Sequence, residues 1–262
     1  MGRRRYRMRR RPEQVRRGVL LVPSLFTTAA MVAGIYAFLA AVNGFHYRAG
    51  AAVLIAMILD GLDGRIARLT SSSTRFGMEY DSLADLMAFG VAPAALLYTW
   101  ALRPYGRIGW VGVFLFVICG ALRLARFNVQ VESADKGRFT GFPIPAAAGL
   151  VASAVMLVEE FNLFEAPPAL AVSILAYVLA FLMVSNVPYR DFKNAGWKGR
   201  RPFDLLVGAV LVLVVVATFP HVSLFFGLTI YALSGPAEGL FHLTRRWRHQ
   251  EEAERTGPPP NL

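Results

Sequence analysis

The sequence predicts an all-α fold, a polytopic membrane bundle of about eight transmembrane helices. Three observations predict it. Hydrophobic residues make up 55% of the 262-residue chain and charged residues only 17%. Mean hydropathy is +0.45, more apolar than a soluble globule of this length. The apolar residues fall in long runs, and crossing a hydrocarbon core takes about 20 such residues of helix. The net charge of +11 is carried mainly by segments between those runs. That distribution gives basic aqueous ends to a membrane protein and argues against a nucleic-acid partner.

Each run can be taken in order. The first, 19–42, follows an arginine-rich arm, 1–18. It is longer than the core of a cleavable leader and no small-residue cleavage site ends it, so it reads as a retained span. The second, 48–68, is apolar through Ile58 and then turns acidic. The third, 82–101, opens on acids, and the fourth, 108–127, ends on Arg123 and Arg126. The fifth, 143–160, is entered through Gly141-Phe-Pro-Ile-Pro145. The sixth is 168–187. The last two, 203–219 and 221–241, are separated only by Phe219, Pro220 and His221, as a tight hairpin or one irregular element. Residues 19–242 are thus expected to form one transmembrane domain, and 243–262 is a polar tail expected to be disordered. Cys119 is the single cysteine, so no disulfide braces the chain.

Arginine and lysine set the orientation. Arg3 to Arg17, Arg65, Arg68, Arg75, Lys136, Arg138, the group from Arg190 to Arg201, and Arg245 to Arg248 all fall on one side of an eight-span chain. The opposite loops are poorer in positive charge, Arg103 and Arg107 excepted. Both termini are therefore expected in the cytoplasm. The basic arm would also attract anionic headgroups, at about 1 kcal/mol per residue near the surface.

Chemistry is concentrated between Asp60 and Asp85. At about 100° per residue, Asp60, Asp63, Gly64 and Ala67 share one helical face. Asp81 and Asp85 lie one turn apart at the start of the next span. A charged side chain at membrane depth costs roughly 2.5–3.5 kcal/mol on insertion scales, less near a helix end. Clustered carboxylates also repel each other, and divalent cations relieve both problems. Oxygen donors without His or Cys favour magnesium, manganese or calcium over zinc. Two ions bridged by carboxylates are a device of phosphoryl chemistry. Structural salt bridges and an ion pathway through a transporter are the alternatives that the same acids allow.

The pattern D-x-x-D-G-x-x-A-R, eight residues, G-x-x-x-D-x-x-x-D runs from Asp60 to Asp85 and resembles the CDP-alcohol phosphatidyltransferase family at every fixed position. The resemblance implies a helical membrane fold of that family's kind, usually a homodimer, with a polar cavity facing the cytoplasm. It implies that Asp60, Asp63 and Asp81 are ligands of a two-metal site, with magnesium or manganese, and that Asp85 is a ligand and also the general base. It implies that Gly64, Arg68 and Thr74 touch the CDP part of the donor, and that Ala67 and Gly77 keep the nucleotide cavity open. Asp81-Ser-Leu-Ala-Asp85, Phe89-Gly-Val-Ala-Pro93, Leu122-Arg-Leu-Ala-Arg-Phe-Asn128 and Gly141-Phe-Pro-Ile-Pro145 are similar to the bacterial and archaeal branch that uses CDP-diacylglycerol and L-serine. That branch implies a prokaryotic inner-membrane location.

The chain departs from the family pattern at Ser24 and Ala30, where asparagine is frequent, and at Ala88, where serine is common. Ser24 and Thr27 remain candidates for donor contact. Arg123 and Arg126 are candidates for the serine carboxylate or the lipid phosphate, since guanidinium pairs bidentately with either. Snorkelling to the interface is their alternative. Asn128 is open between capping its helix and binding substrate. Other acceptors, namely glycerol 3-phosphate, inositol phosphate or choline, are not excluded by these residues. His46, His221, His242 and His249 show no metal spacing and are expected at the interfaces.

Overall fold

A computed structural model describes residues 17–69, 74–132, 141–187 and 218–237, with 17–23, 67, 68, 131 and 132 described by backbone alone. The arm before Arg17, the tail 243–262 and most of the expected span 203–219 lie outside the described residues. Every regular element among the described residues is helical.

Helix α1, Arg17–Val42, presents Ala30, Gly34, Ala37 and Ala41 at helical spacing. These small side chains form the face that packs on α2, His46–Leu69, and on the segment after Asp85. Without a hydrophobic drive between helices in lipid, such small faces let backbones approach and gain dispersion contact. The α1–α2 turn follows from Gly44, whose φ of 80° lets its N–H reach Ala41 O while Phe45 N–H reaches Ala40 O. The two helices therefore run antiparallel. The N-terminal half of α1 lies beside the acidic end of α2.

Helix α3, Arg75–Asp85, starts at Thr74, whose Oγ1 accepts from Gly77 N–H at 3.0 Å. It continues without a break through a π-helical segment, Leu86–Val91, then α4, Ala92–Leu97, and a second π-helical segment, Tyr98–Leu102. Pro93 and Pro104 supply the reason. Neither has an N–H for the ordinary helical bond, and a wider turn precedes each. Ala92 N–H reaches Met87 O, and Arg103 N–H reaches Tyr98 O. A short 3₁₀ turn, Arg103–Tyr105, and Gly106 at φ 52° then reverse the chain. Helix α5, Gly106–Glu132, folds back along this run, and Trp110 Nε1 donates to Tyr98 OH at 3.0 Å.

Helix α6, Ile144–Phe161, is the buried centre, with Ala147, Ala148, Val151, Ala152 and Val155 fully enclosed. Its entry is held by Gly141 at φ 87°, whose N–H bonds Val187 O, and by Phe142 N–H to Leu182 O. Those carbonyls belong to the end of α7, Ala169–Val184, and the residues just after it. The last described helix, α8, covers 220–237. Val32, Ile35 and Leu39 on α1, Phe114, Ile118 and Leu122 on α5, and Ile174, Val178 and Phe181 on α7 point outward. Exposed apolar faces of this extent suit hydrocarbon rather than water.

Three stretches among the described residues are long and apolar enough to cross a membrane: Ser24–Val42, Arg75–Gln130 and Ile144–Phe161, with the shorter apolar helix Ala169–Val184 beside them. The second is the hairpin reversed at Arg103–Gly106. The expected span 48–68 forms a helix, but Asp60, Asp63 and Arg65 make its second half polar. The third expected span starts earlier than 82, because the chain is already helical from Arg75.

Candidate active site

One end of the bundle gathers the start of α1, the ends of α2 and α5, and α3. Helical spacing puts Asp60 and Asp63 on one face of α2, and the α2–α3 turn brings Asp81 against them. Oxygen atoms of Asp60, Asp63 and Asp81 all lie within 4.8 Å of one another. Asp63 is only 4% exposed, whereas Asp60 and Asp81 are half-buried. Asp85, one turn beyond Asp81, borders that trio. Its carboxyl shares a hydrogen bond with Asp60, and the Arg123 guanidinium from α5 lies within its field.

Thr27, 6% exposed on α1, faces the Asp63 carboxyl, as does the N–H of Gly64. Asp63 Oδ2 is buried and has no hydrogen-bond partner. The expected donor contact Thr27 thus stands beside a carboxylate of the trio. A Cβ at Gly61 or Gly64 would meet nothing within 4 Å, so the space beside the acids is open. Thr74 lies exposed at the start of α3 as its cap. Ser24 lies on α1, where its carbonyl accepts from Thr28 Oγ1, and that hydroxyl meets Tyr80 OH at 3.0 Å. The side chains of Arg68 and Ala67 fall outside the described residues.

The two arginines separate. Arg123 is half-buried, its Nε enclosed without a hydrogen-bond partner, and it lies near enough to Asp85 and to Tyr231 of α8 to interact with both electrostatically. Arg126 is exposed, and its Nη2 donates to Asn186 Oδ1 at 2.7 Å. Asn128 does not cap α5, which continues to Glu132; its Nδ2 donates to Ser82 Oγ at 2.9 Å. Tyr231, Asn186, Ser82 and Tyr80 are neighbours that sequence reasoning missed. Tyr231 and Asn186 arrive from distant elements, so local spacing does not mark them; Tyr80 and Ser82 flank Asp81 on α3, but their partners Thr28 and Asn128 come from α1 and α5.

The donor set suits a hard divalent cation. Three carboxylates converge, no nitrogen or sulfur joins them among the described residues, and a buried carboxylate oxygen lacks a partner. Like charges this close need a compensating cation, and among the described residues Arg123 supplies only part of that charge.

The opposite end of the bundle holds a second polar group. Glu159 accepts from Trp100 Nε1 at 2.8 Å and lies 3.6 Å from His46 Nδ1. Glu160 accepts from Tyr47 OH at 3.3 Å. Its Oε2 lies 3.1 Å from His221 Nε2, a close approach without hydrogen-bond alignment. The histidines that look scattered in the sequence are therefore gathered here in part, tying α2 and α8 to the end of α6.

Comparison with known proteins bears on the acidic end. A protein of Helicobacter pylori named CDP-diacylglycerol–serine O-phosphatidyltransferase is 40% identical over 225 residues, 86% of this chain and 93% of its own. One of the same name from Methanocaldococcus jannaschii is 32% identical over 219 residues, covering 84% and 94%. A Saccharomyces cerevisiae protein, also of that name, is 40% identical over 138 residues, 47% of each chain. The family model described as CDP-alcohol phosphatidyltransferase matches residues 20–234, a stretch that takes in the acids, both arginines and nearly every described helix. With that match over most of its length, the chain belongs to the CDP-alcohol phosphatidyltransferase family.

Proposed function

We propose that this protein transfers the phosphatidyl group of CDP-diacylglycerol to the hydroxyl of L-serine, giving phosphatidylserine and CMP. The observation that carries this reading is the convergence of Asp60, Asp63 and Asp81, with Asp85 and Arg123 directly beside them. The names of the relatives agree with it.

Two divalent ions, magnesium or manganese, held by Asp60, Asp63, Asp81 and Asp85, would neutralise the donor pyrophosphate and make its phosphorus more electrophilic. The open flank at Gly61 and Gly64 admits the nucleotide, with Thr74 and Ser24 at its margin, and Arg68 is the further donor contact that the family resemblance implies. Arg123 holds the acceptor carboxylate. In serine two carbons separate carboxylate and hydroxyl, so this anchor leaves the hydroxyl within reach of Asp85. An Asp85 carboxylate oxygen takes the hydroxyl proton. The freed oxygen attacks the phosphorus that carries diacylglycerol, the bond from that phosphorus to the CMP oxygen breaks, and CMP leaves. A phosphorylated acceptor would call for further buried positive charge. Arg126 is exposed and already bonded to Asn186, which favours serine.

The protein works as a homodimer in a prokaryotic inner membrane, as the family resemblance implies. The acidic end and both termini face the cytoplasm, and the arginine-rich segments support that orientation. The full set of eight spans follows from the apolar runs. A panel of labelled acceptors offered with CDP-diacylglycerol and magnesium tests the reaction. L-Serine alone should yield both CMP and a new lipid; preference for glycerol 3-phosphate, inositol phosphate or choline would overturn the acceptor assignment.

A further inference from the structure

Thr27 and Thr28 are neighbours on α1, about 100° apart around its axis, and they serve two different helices. The Thr27 hydroxyl is buried and bonds the Asp63 carboxyl on α2. Asp63 Oδ2 has no hydrogen-bond partner, so that bond falls on Oδ1 and leaves Oδ2 free for a cation. Thr28 Oγ1 lies 2.7 Å from Ser24 O, and a carbonyl can only accept, so its proton is committed there. Tyr80 OH, 3.0 Å away on α3, is then the donor of its contact with Thr28. Phe76 stacks on the Tyr80 ring, with centroids 6.1 Å apart and planes 4° from parallel, and Met31 Sδ of α1 lies 4.0 Å from the phenol oxygen. Tyr80 directly precedes Asp81. One turn of α1 therefore reaches Asp63 on α2 and the residue next to Asp81 on α3.

We infer that α1 sets the width of the cation site: Thr27 and Tyr80 are positioning residues whose hydroxyls hold Asp63 and Asp81 at the separation that one divalent cation bridges. This rests on the metal reading above. Carboxylate oxygens bound at about 2.0–2.6 Å from one ion lie at most about 5 Å apart. The oxygens of Asp60, Asp63 and Asp81 lie within 4.8 Å of one another, so a slight drift of α3 from α2 would cost a ligand. The carboxylates repel each other across that gap until a cation arrives. Asp60 and Asp63 keep their spacing because they share α2, whereas Asp81 depends on how α3 is held. The Tyr80–Thr28 bond ties α3 to α1, and the Thr27–Asp63 bond ties α1 to α2, so the site is in place before the ion binds.

The test is direct titration of the full-length protein in detergent with Mn2+, read from the electron paramagnetic resonance signal of the free ion, both without nucleotide and with saturating CDP. Thr27→Val, which keeps the volume and loses the hydroxyl, should raise the Mn2+ Kd about 10- to 100-fold, the range for a hydrogen bond to a charged group. Tyr80→Phe should raise it about 2- to 10-fold, the range for a neutral one. Thr27→Ser, which keeps the hydroxyl, should stay close to the unsubstituted protein. An unchanged Kd in either folded variant would overturn that residue's part. So would a defect confined to the KM for CDP-diacylglycerol, which would make Thr27 a donor contact only. Tyr80 is half-buried, so Tyr80→Phe carries the test should Thr27→Val fail to fold. Should the unsubstituted protein bind no Mn2+ under either condition, the metal reading of the acids fails and this inference with it.

Discussion

Asp85 differs from the other acids in its neighbours. Asp60, Asp63 and Asp81 face each other, whereas Asp85 touches Asp60 on one side and has Arg123 on the other. A carboxylate at the edge of a cation site and next to an acceptor anchor is suited to proton transfer. Asp85→Asn keeps the shape and removes the basicity. Turnover should fall by about 10²- to 10⁴-fold, the usual share of general base catalysis. Equilibrium binding of CDP-diacylglycerol should persist; CMP release at the normal rate would remove Asp85 from the base role. At this scale the sequence was informative about the acids, because their spacing is local to a helix turn. It was silent on Tyr231 and Asn186, and it left Asn128 open, since those contacts join residues far apart in the chain.

The segments around the acids depend on one close approach between elements. A Cβ added at Gly34 of α1 would lie 2.6 Å from Ala88 Cα and 2.8 Å from Ala88 Cβ. Ala88 belongs to the π-helical segment that begins immediately after Asp85. Backbone cannot step aside as a flexible side chain can, so Gly34→Ala should destabilise the protein by about 1–3 kcal/mol. A lowered midpoint of thermal unfolding in detergent, together with reduced turnover, is the expected outcome. An unchanged midpoint would mean that α1 and the π-helical segment are not packed this tightly. The apolar run 82–101 gave the existence of this element but not its wide turns. A wide turn has no hydrophobic period of its own, and Pro93 and Pro104 mark only where the ordinary ladder fails.

The whole molecule has two unlike ends. Acids and both arginines gather at one, and the Glu159 and Glu160 group closes the other. The proposed orientation puts the acidic end in the cytoplasm, where a water-soluble acceptor and CMP can exchange. Cys119 lies half-buried within α5, which makes single-cysteine labelling straightforward. In spheroplasts, an impermeant thiol reagent should label Glu165→Cys directly and Glu251→Cys only after permeabilisation. The reverse pattern would invert the topology.

The amino-acid sequence alone determined the helical class, the apolar runs and the positions of the four acids. Each of these is written in hydropathy or in spacing over a few residues, where chain geometry leaves little freedom. Tertiary structure decided which acids form a trio, that Arg123 rather than Arg126 stands at Asp85, and that Asn128 meets Ser82. It also gathered His46 and His221 around the end of α6. The physical reason is that these arrangements depend on the reversal at Gly106 and on the packing angles of whole helices. No single segment encodes them; small residues such as Gly34 fix them by how closely they let neighbours approach.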